Sequence, residues 1–148
     1  FEASARVGAL LAAAKPEIEA ACAEYGQALG TAFQVIDDVL DYTGDASVMG
    51  KNLGDDLREG KNTLPLIAAM QRSSDAERQL IQTAIESGDL NQIERVVAIV
   101  VNSGALDVAR QAAASEARRA IAAAQRLPDN DYSRALVQLA AQLLERQA

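Results

Sequence analysis

Three aspartates crowd one short run of this sequence, QVIDDVLDY, as Asp37, Asp38 and Asp41. On a helix, residues four apart share a face, so the carboxylates of Asp37 and Asp41 point the same way. Asp38 turns to the flank, and Gln34 sits one turn earlier on the shared side. Val35, Ile36, Val39 and Leu40 fill the remaining positions. Two unit charges about 4 Å apart repel by roughly 4 kcal/mol at an effective dielectric of 20. A cation between them, or water around them, must offset that cost. A solvated acidic face satisfies the same spacing when the run is taken alone. A calcium loop fits less well, because the alternating Asp/Asn positions and the terminal Glu are missing.

The residues that follow favour a ligand. Gly44, Gly50, Gly54 and Gly60 punctuate a polar stretch that carries Lys51, Arg58 and Lys61, with Asp55 and Asp56 between them. Carboxylates on a rigid helix and lysines on the next segment suit a diphosphate bridged by Mg²⁺. That ion takes one or two protein carboxylates and completes its shell with phosphate oxygens and water. A lysine adds a point charge on the oxygens left over. A surface Lys–Asp network and ordinary helix capping account for the same residues without a ligand. There is no histidine. Histidine-dependent triads and histidine metal sites are thereby excluded, and any metal chemistry falls to hard cations on oxygen ligands.

Helices must position these groups. Alanine supplies roughly a fifth of the 148 residues, and aromatic residues only 3%, a mix that favours helix over sheet. The expected class is all-α, a helical bundle without strands, forming a single helical domain over residues 1–148. The pattern predicts a first helix from Glu2 to Ala14, broken at Lys15-Pro16. A second runs from Pro16 to about Tyr42, roughly 40 Å long. A short turn of helix is expected from Asp55 to Glu59. Thr63 caps a helix that has Pro65 in its first turn and ends near Arg72. Ser74-Asp75-Ala76-Glu77 forms a capping box for another, ending at Gly88. Asp89 to Gln92 starts one that ends near Asn102. An alanine-rich helix spans Ala105 to Arg126, and Asp131 opens the last.

The net charge of −7 argues against nucleic acid. No apolar run approaches the roughly 20 residues of a membrane span. A lone cysteine, Cys22, fits a reducing, cytoplasmic setting and reads as a core thiol. Arg118-Arg119 reads as solvated surface. The chain opens on Phe1-Glu2-Ala3-Ser4, without Met, and so reads as an interior segment of something longer.

The run FQVIDDVLDYTGD, followed by MGKNLGDDLREGKNTLPLI, closely resembles the second aspartate-rich region of trans-polyprenyl diphosphate synthases of the bacterial long-chain type. The later helices resemble the family's C-terminal part more loosely. The resemblance implies the C-terminal half of an isoprenoid synthase fold, and with it a prenyltransferase of isoprenoid (quinone side-chain) biosynthesis. Such an enzyme ionises an allylic diphosphate with the help of Mg²⁺ and condenses it with isopentenyl diphosphate. Asp37, Asp38 and Asp41 would be the metal ligands, Asp37 directly and Asp41 or Asp38 through water. Gln34 would line the site. Lys51 would contact the allylic diphosphate and Lys61 would sit in the closing segment, with Asp55 and Asp56 orienting it.

The family's first aspartate-rich motif, its isopentenyl-binding arginines and its Lys-Thr-Ala motif are missing from these residues. The expectation is therefore a half-enzyme, inactive alone. Tyr25, Leu29, Phe33 and Ile36 would form an uncovered apolar face that drives homo-oligomerisation, whereas the intact enzyme would be a dimer. Two other readings compete: a non-catalytic helical interaction subunit, and a terpene cyclase-like enzyme.

Overall fold

Pro16 decides where the first two helices part. In a computed structural model, which describes residues 1–43, 55–87 and 90–145, α1 covers Glu2–Leu11 and α2 covers Pro16–Thr43. The expected extension of α1 to Ala14 is not made. The amides of Ala13 and Ala14 turn back to the carbonyls of Leu10 and Ala9 at 3.0 Å each, and Ala13 takes a left-handed φ of 48°. This is the ordinary six-to-one helix ending, here with Ala at the position glycine usually fills. Proline disfavours helical backbone in the residue before it, so the chain has to turn out of the helix ahead of Lys15.

The remaining helices are α3 (Asp55–Arg58), α4 (Leu64–Arg72), α5 (Asp75–Ser87), α6 (Ile93–Asn102), α7 (Ala105–Ala124) and α8 (Asp131–Glu145), with a 3₁₀ turn at Leu90–Gln92. No strand occurs among the described residues, so the fold is all-α. The capping box opens α5 as expected: Glu77 Oε2 accepts from Ser74 N at 2.9 Å and from Ser74 Oγ at 2.6 Å. Asp131 opens α8 as expected, and Asn130 just before it is the cap. Its Oδ1 accepts from the amides of Tyr132 at 2.9 Å and Ser133 at 3.0 Å. The α-helix of α7 stops at Ala124 and not at Arg126. The amides of Arg126 and Leu127 tighten onto the carbonyls of Ala123 and Ala124 ahead of Pro128.

The chain forms two compact units. One comprises Phe1–Ile36 with Ala112–Ala148, and the other Asp37–Gln111. In the first, Tyr25, Ala28, Leu29 and Ala32 of α2 pack on Ala117, Ala120, Ala123 and Ala124 of α7 and on Ala140 and Leu143 of α8. The Tyr25 hydroxyl donates to the carbonyl of Leu136 at 3.0 Å. Alanine keeps the facing helices thin, so larger side chains from α2 sink between them. That corrects the expected uncovered face. Tyr25, Leu29 and Ile36 are 4%, 7% and 4% exposed, and only Phe33 of the four remains exposed, at 42%. Truncating a buried leucine such as Leu29 to alanine costs about 2–5 kcal/mol.

Helix α1 lies on α2 at Gly26 and Gly30. A Cβ at Gly26 would sit 2.6 Å from the carbonyl oxygen of Phe1, and one at Gly30 would sit 2.8 Å from the Phe1 Cβ. In the second unit, α4, α5 and α6 pack on one another and α3 packs on α5. Leu66, Ile81, Val96 and Val100 are fully enclosed there. Among the described residues, no single helix is long and apolar enough to cross a membrane.

Candidate functional site

The acidic run falls in the last two turns of α2, as its spacing required. Asp37 is exposed, Asp41 is half-buried and Asp38 is 7% exposed. Gln34 is exposed one turn earlier on the same helix. Lys51, Met49 and the glycines 44, 50 and 54 lie outside the described residues, as does the side chain of Asp55.

A second segment is tied to this helix. The backbone amide of Asp56 donates to Asp41 Oδ2 at 3.2 Å. Asp56 then accepts from the Lys61 ammonium at 3.0 Å through its Oδ1. The geometry that brings lysine back to that carboxylate is the ending of α3. Gly60, at φ 68°, donates its amide to the carbonyl of Leu57, and the Lys61 amide donates to the carbonyl of Asp56 at 2.9 Å. A side chain at residue 60 would strain this left-handed turn, so glycine is what lets Lys61 fold onto Asp56.

Glu59 also holds the ammonium, at 2.6 Å. The bonds from Glu59 and Asp56 keep the lysine protonated well above its ordinary range, and the same contact holds the Glu59 carboxyl below its own. About half the Lys61 side chain still meets solvent. Its charge is therefore placed by carboxylates yet remains accessible to an anion.

Beneath the acids lie two hydroxyls whose meeting the sequence did not foretell; Thr63, expected to cap its helix, holds the N-cap position without a side-chain capping bond. Tyr42 is 3% exposed and Thr63 is 7% exposed. The Thr63 hydroxyl lies close enough to favour the ionised phenol, but neither oxygen completes a bond of good geometry. Burial is the main cause that drives the Tyr42 phenol far above its usual range, with Asp41, Asp56 and Asp38 adding to it. Leaving a buried hydroxyl unpaired costs about 1–3 kcal/mol.

The donor set fits a hard divalent cation of the Mg²⁺ kind. Asp37 and Asp41 offer oxygen only, from one face and one turn apart, with Asp37 open to solvent. Among the described residues, no group of three or more acidic, thiol or imidazole side chains gathers to hold a metal ion. Mg²⁺ does not need such a cage, because it keeps water and takes the rest of its shell from a phosphate. Of the other residues singled out, Arg118 is solvated as expected. Arg119 is not simply solvated: it donates to Gln27 Oε1 at 2.8 Å and pairs with Glu116. Cys22 is half-buried, not enclosed, and that burial raises its thiol pKa.

The chain is similar to known proteins. A family model described as polyprenyl synthetase matches residues 1–101. An all-trans-nonaprenyl-diphosphate synthase of Rhodobacter capsulatus is 50% identical over 139 residues, which cover 94% of this chain and 43% of that protein. Octaprenyl diphosphate synthase of Escherichia coli is 48% identical over 141 residues, 95% of this chain and 44% of that one. A solved polyprenyl synthase from Caulobacter crescentus, complexed with calcium and isoprenyl diphosphate, superposes with a TM-score of 0.87 at 40% identity. It matches 100% of this chain and 46% of its own length. The chain thus spans somewhat under half of the relatives it matches.

Proposed function

This chain belongs to the polyprenyl synthetase family, and from that premise we propose that it carries the metal-and-diphosphate half of a chain-elongating prenyltransferase site. The whole reaction joins an allylic diphosphate to isopentenyl diphosphate, releasing inorganic diphosphate and a proton as a new carbon–carbon bond forms. The observation that carries the reading is the link from Asp41 through Asp56 to Lys61. It ties a positive charge to the helix that bears the carboxylates.

Each residue has a definite task in this account. Asp37 and Asp41 would hold Mg²⁺, with Asp38 supporting them from its buried position. Bound there, the cation would supply Lewis-acid stabilisation of the negative charge gathering on the leaving diphosphate. Lys61 places a point charge on the same oxygens, and Lys51 is proposed for a second. Asp56 and Glu59 keep Lys61 protonated and aimed until an anion takes over. Gln34 offers an amide that donates to, or accepts from, the substrate. Stabilisation concentrated on the leaving group favours the charge-separated transition state over the ground state, which is the source of rate.

A homo-oligomer working in the cytoplasm, built from a larger helical domain of which these residues are a piece, belongs to the same proposal. Calorimetric titration of the 148-residue chain with inorganic pyrophosphate tests it. Binding is expected with Mg²⁺ present and not without it, and Asp37→Asn should weaken it by about tenfold or more. Binding indifferent to magnesium, or unaltered in Asp37→Asn, overturns the assignment.

A further inference from the structure

We propose that Tyr42 and Thr63 form a positioning pair, whose buried hydroxyls bond to each other when the Lys61 segment draws onto a diphosphate held beside Asp37 and Asp41. The proposal rests on the diphosphate-binding reading above and assigns the pair a part in it. Neither residue touches the substrate; both act through Lys61.

Asp41 and Tyr42 are consecutive on α2, and both reach the same segment. Asp41 accepts from the Asp56 amide at 3.2 Å, and Tyr42 faces Thr63. Between those two attachments, the left-handed turn at Gly60 and the Lys61–Asp56 bonds close the backbone into a short loop. Lys61 lies two residues from Thr63 and is paired with Asp56. The lysine is thus flanked by the Asp41 hydrogen bond before it and the open Tyr42–Thr63 contact after it. A small shift of either attachment moves the ammonium relative to the carboxylates.

Packing alone does not account for the two hydroxyls. Phe and Val fill nearly the same volumes without burying unpaired oxygen, and buried polar groups nearly always find partners. Thr63 stands at the N-cap of α4, where a threonine hydroxyl commonly accepts from an amide, yet its side chain makes no capping bond. Its hydroxyl lies near the Tyr42 phenol instead. A bond left open in the free protein and completed with ligand bound converts that cost into differential affinity, which is how a ligand biases one arrangement over another.

A double-mutant cycle on the whole chain decides the matter, with magnesium and inorganic pyrophosphate as the probe and thermal unfolding recorded alongside. Tyr42→Phe and Thr63→Val should each weaken binding by roughly threefold to tenfold. The double variant should bind no worse than either single one, because each removes the same bond. Melting temperatures should stay level or rise, and Thr63→Ser should bind like the parent chain. Parent-like affinity in both single variants, losses that multiply in the double variant, or losses that follow falling melting temperatures would overturn the proposal while leaving the diphosphate site standing. No binding by the parent chain would remove the site and this pair with it.

Discussion

Asp56 serves Asp41 with its amide and Lys61 with both its carboxylate and its carbonyl. The sequence could show that acids and lysines were near one another along the chain, because spacing on α2 and the order of residues are local facts. It could not show the amide link, which spans fifteen positions, or the meeting of Tyr42 with Thr63, since neither carries a periodic signature. Lys61→Ala removes the charge proposed to sit on the phosphate oxygens. Affinity for magnesium pyrophosphate should fall about tenfold, by calorimetry, with thermal stability little altered.

Glu77 allows a pH test of local structure. The Ser74 hydroxyl and amide hold its carboxyl below the ordinary range. Because the folded value is the lower one, the cap's contribution is complete above the unfolded value of 4.5 and is lost as pH falls through the folded value. Glu77→Gln should therefore lower the melting temperature at neutral pH, and the gap from the parent chain should close in acid. A gap that persists unchanged in acid would contradict the cap's charge dependence.

At the scale of the element, most boundaries were legible because the punctuating residues act locally. Pro16 starts α2, Pro65 lies in the first turn of α4, the Ser74–Glu77 box opens α5, and Pro128 follows the end of α7. The end of α1 was not legible, since Leu11-Ala12-Ala13-Ala14 contains no residue that stops a helix. The covering of Tyr25 and Leu29 was missed for a different reason. An alanine face looks weakly apolar in sequence, yet it accepts bulky partners closely.

Gly26 and Gly30 also passed unnoticed, because only the folded approach of α1 gives them meaning. Gly26→Val should displace α1. The valine gains helix propensity over glycine in α2, but its Cβ meets Phe1 backbone at 2.6 Å. Limited proteolysis should then cut faster between Leu11 and Pro16, while far-ultraviolet circular dichroism changes little. Unaltered cleavage would mean that α1 is not seated by this contact.

For the molecule as a whole, charge and surface set different expectations. A net charge of −7 favours solubility and repels nucleic acid, while Val7, Leu10 and Leu11 on α1 stand 48%, 54% and 84% exposed. Exposed apolar side chains in such a cluster promote association. Sedimentation velocity at micromolar concentration should show oligomers, and Leu10→Glu with Leu11→Glu should shift them toward monomer. A parent chain that sediments as monomer alone would contradict this. Turnover is a separate matter. The relatives that match are more than twice as long, so the chain alone should not join isopentenyl diphosphate to an allylic diphosphate at a measurable rate. Product formation in a radiolabel assay would refute that.

Mn²⁺ in place of Mg²⁺ reports directly where a divalent cation sits. In nuclear magnetic resonance spectra of the chain with inorganic pyrophosphate, Mn²⁺ should broaden the amide signals around Asp37 to Asp41 and Asp56 to Lys61, and Asp37→Asn should abolish that broadening. Broadening centred on other acids, such as Asp129 and Asp131, or equal with and without pyrophosphate, would contradict the account.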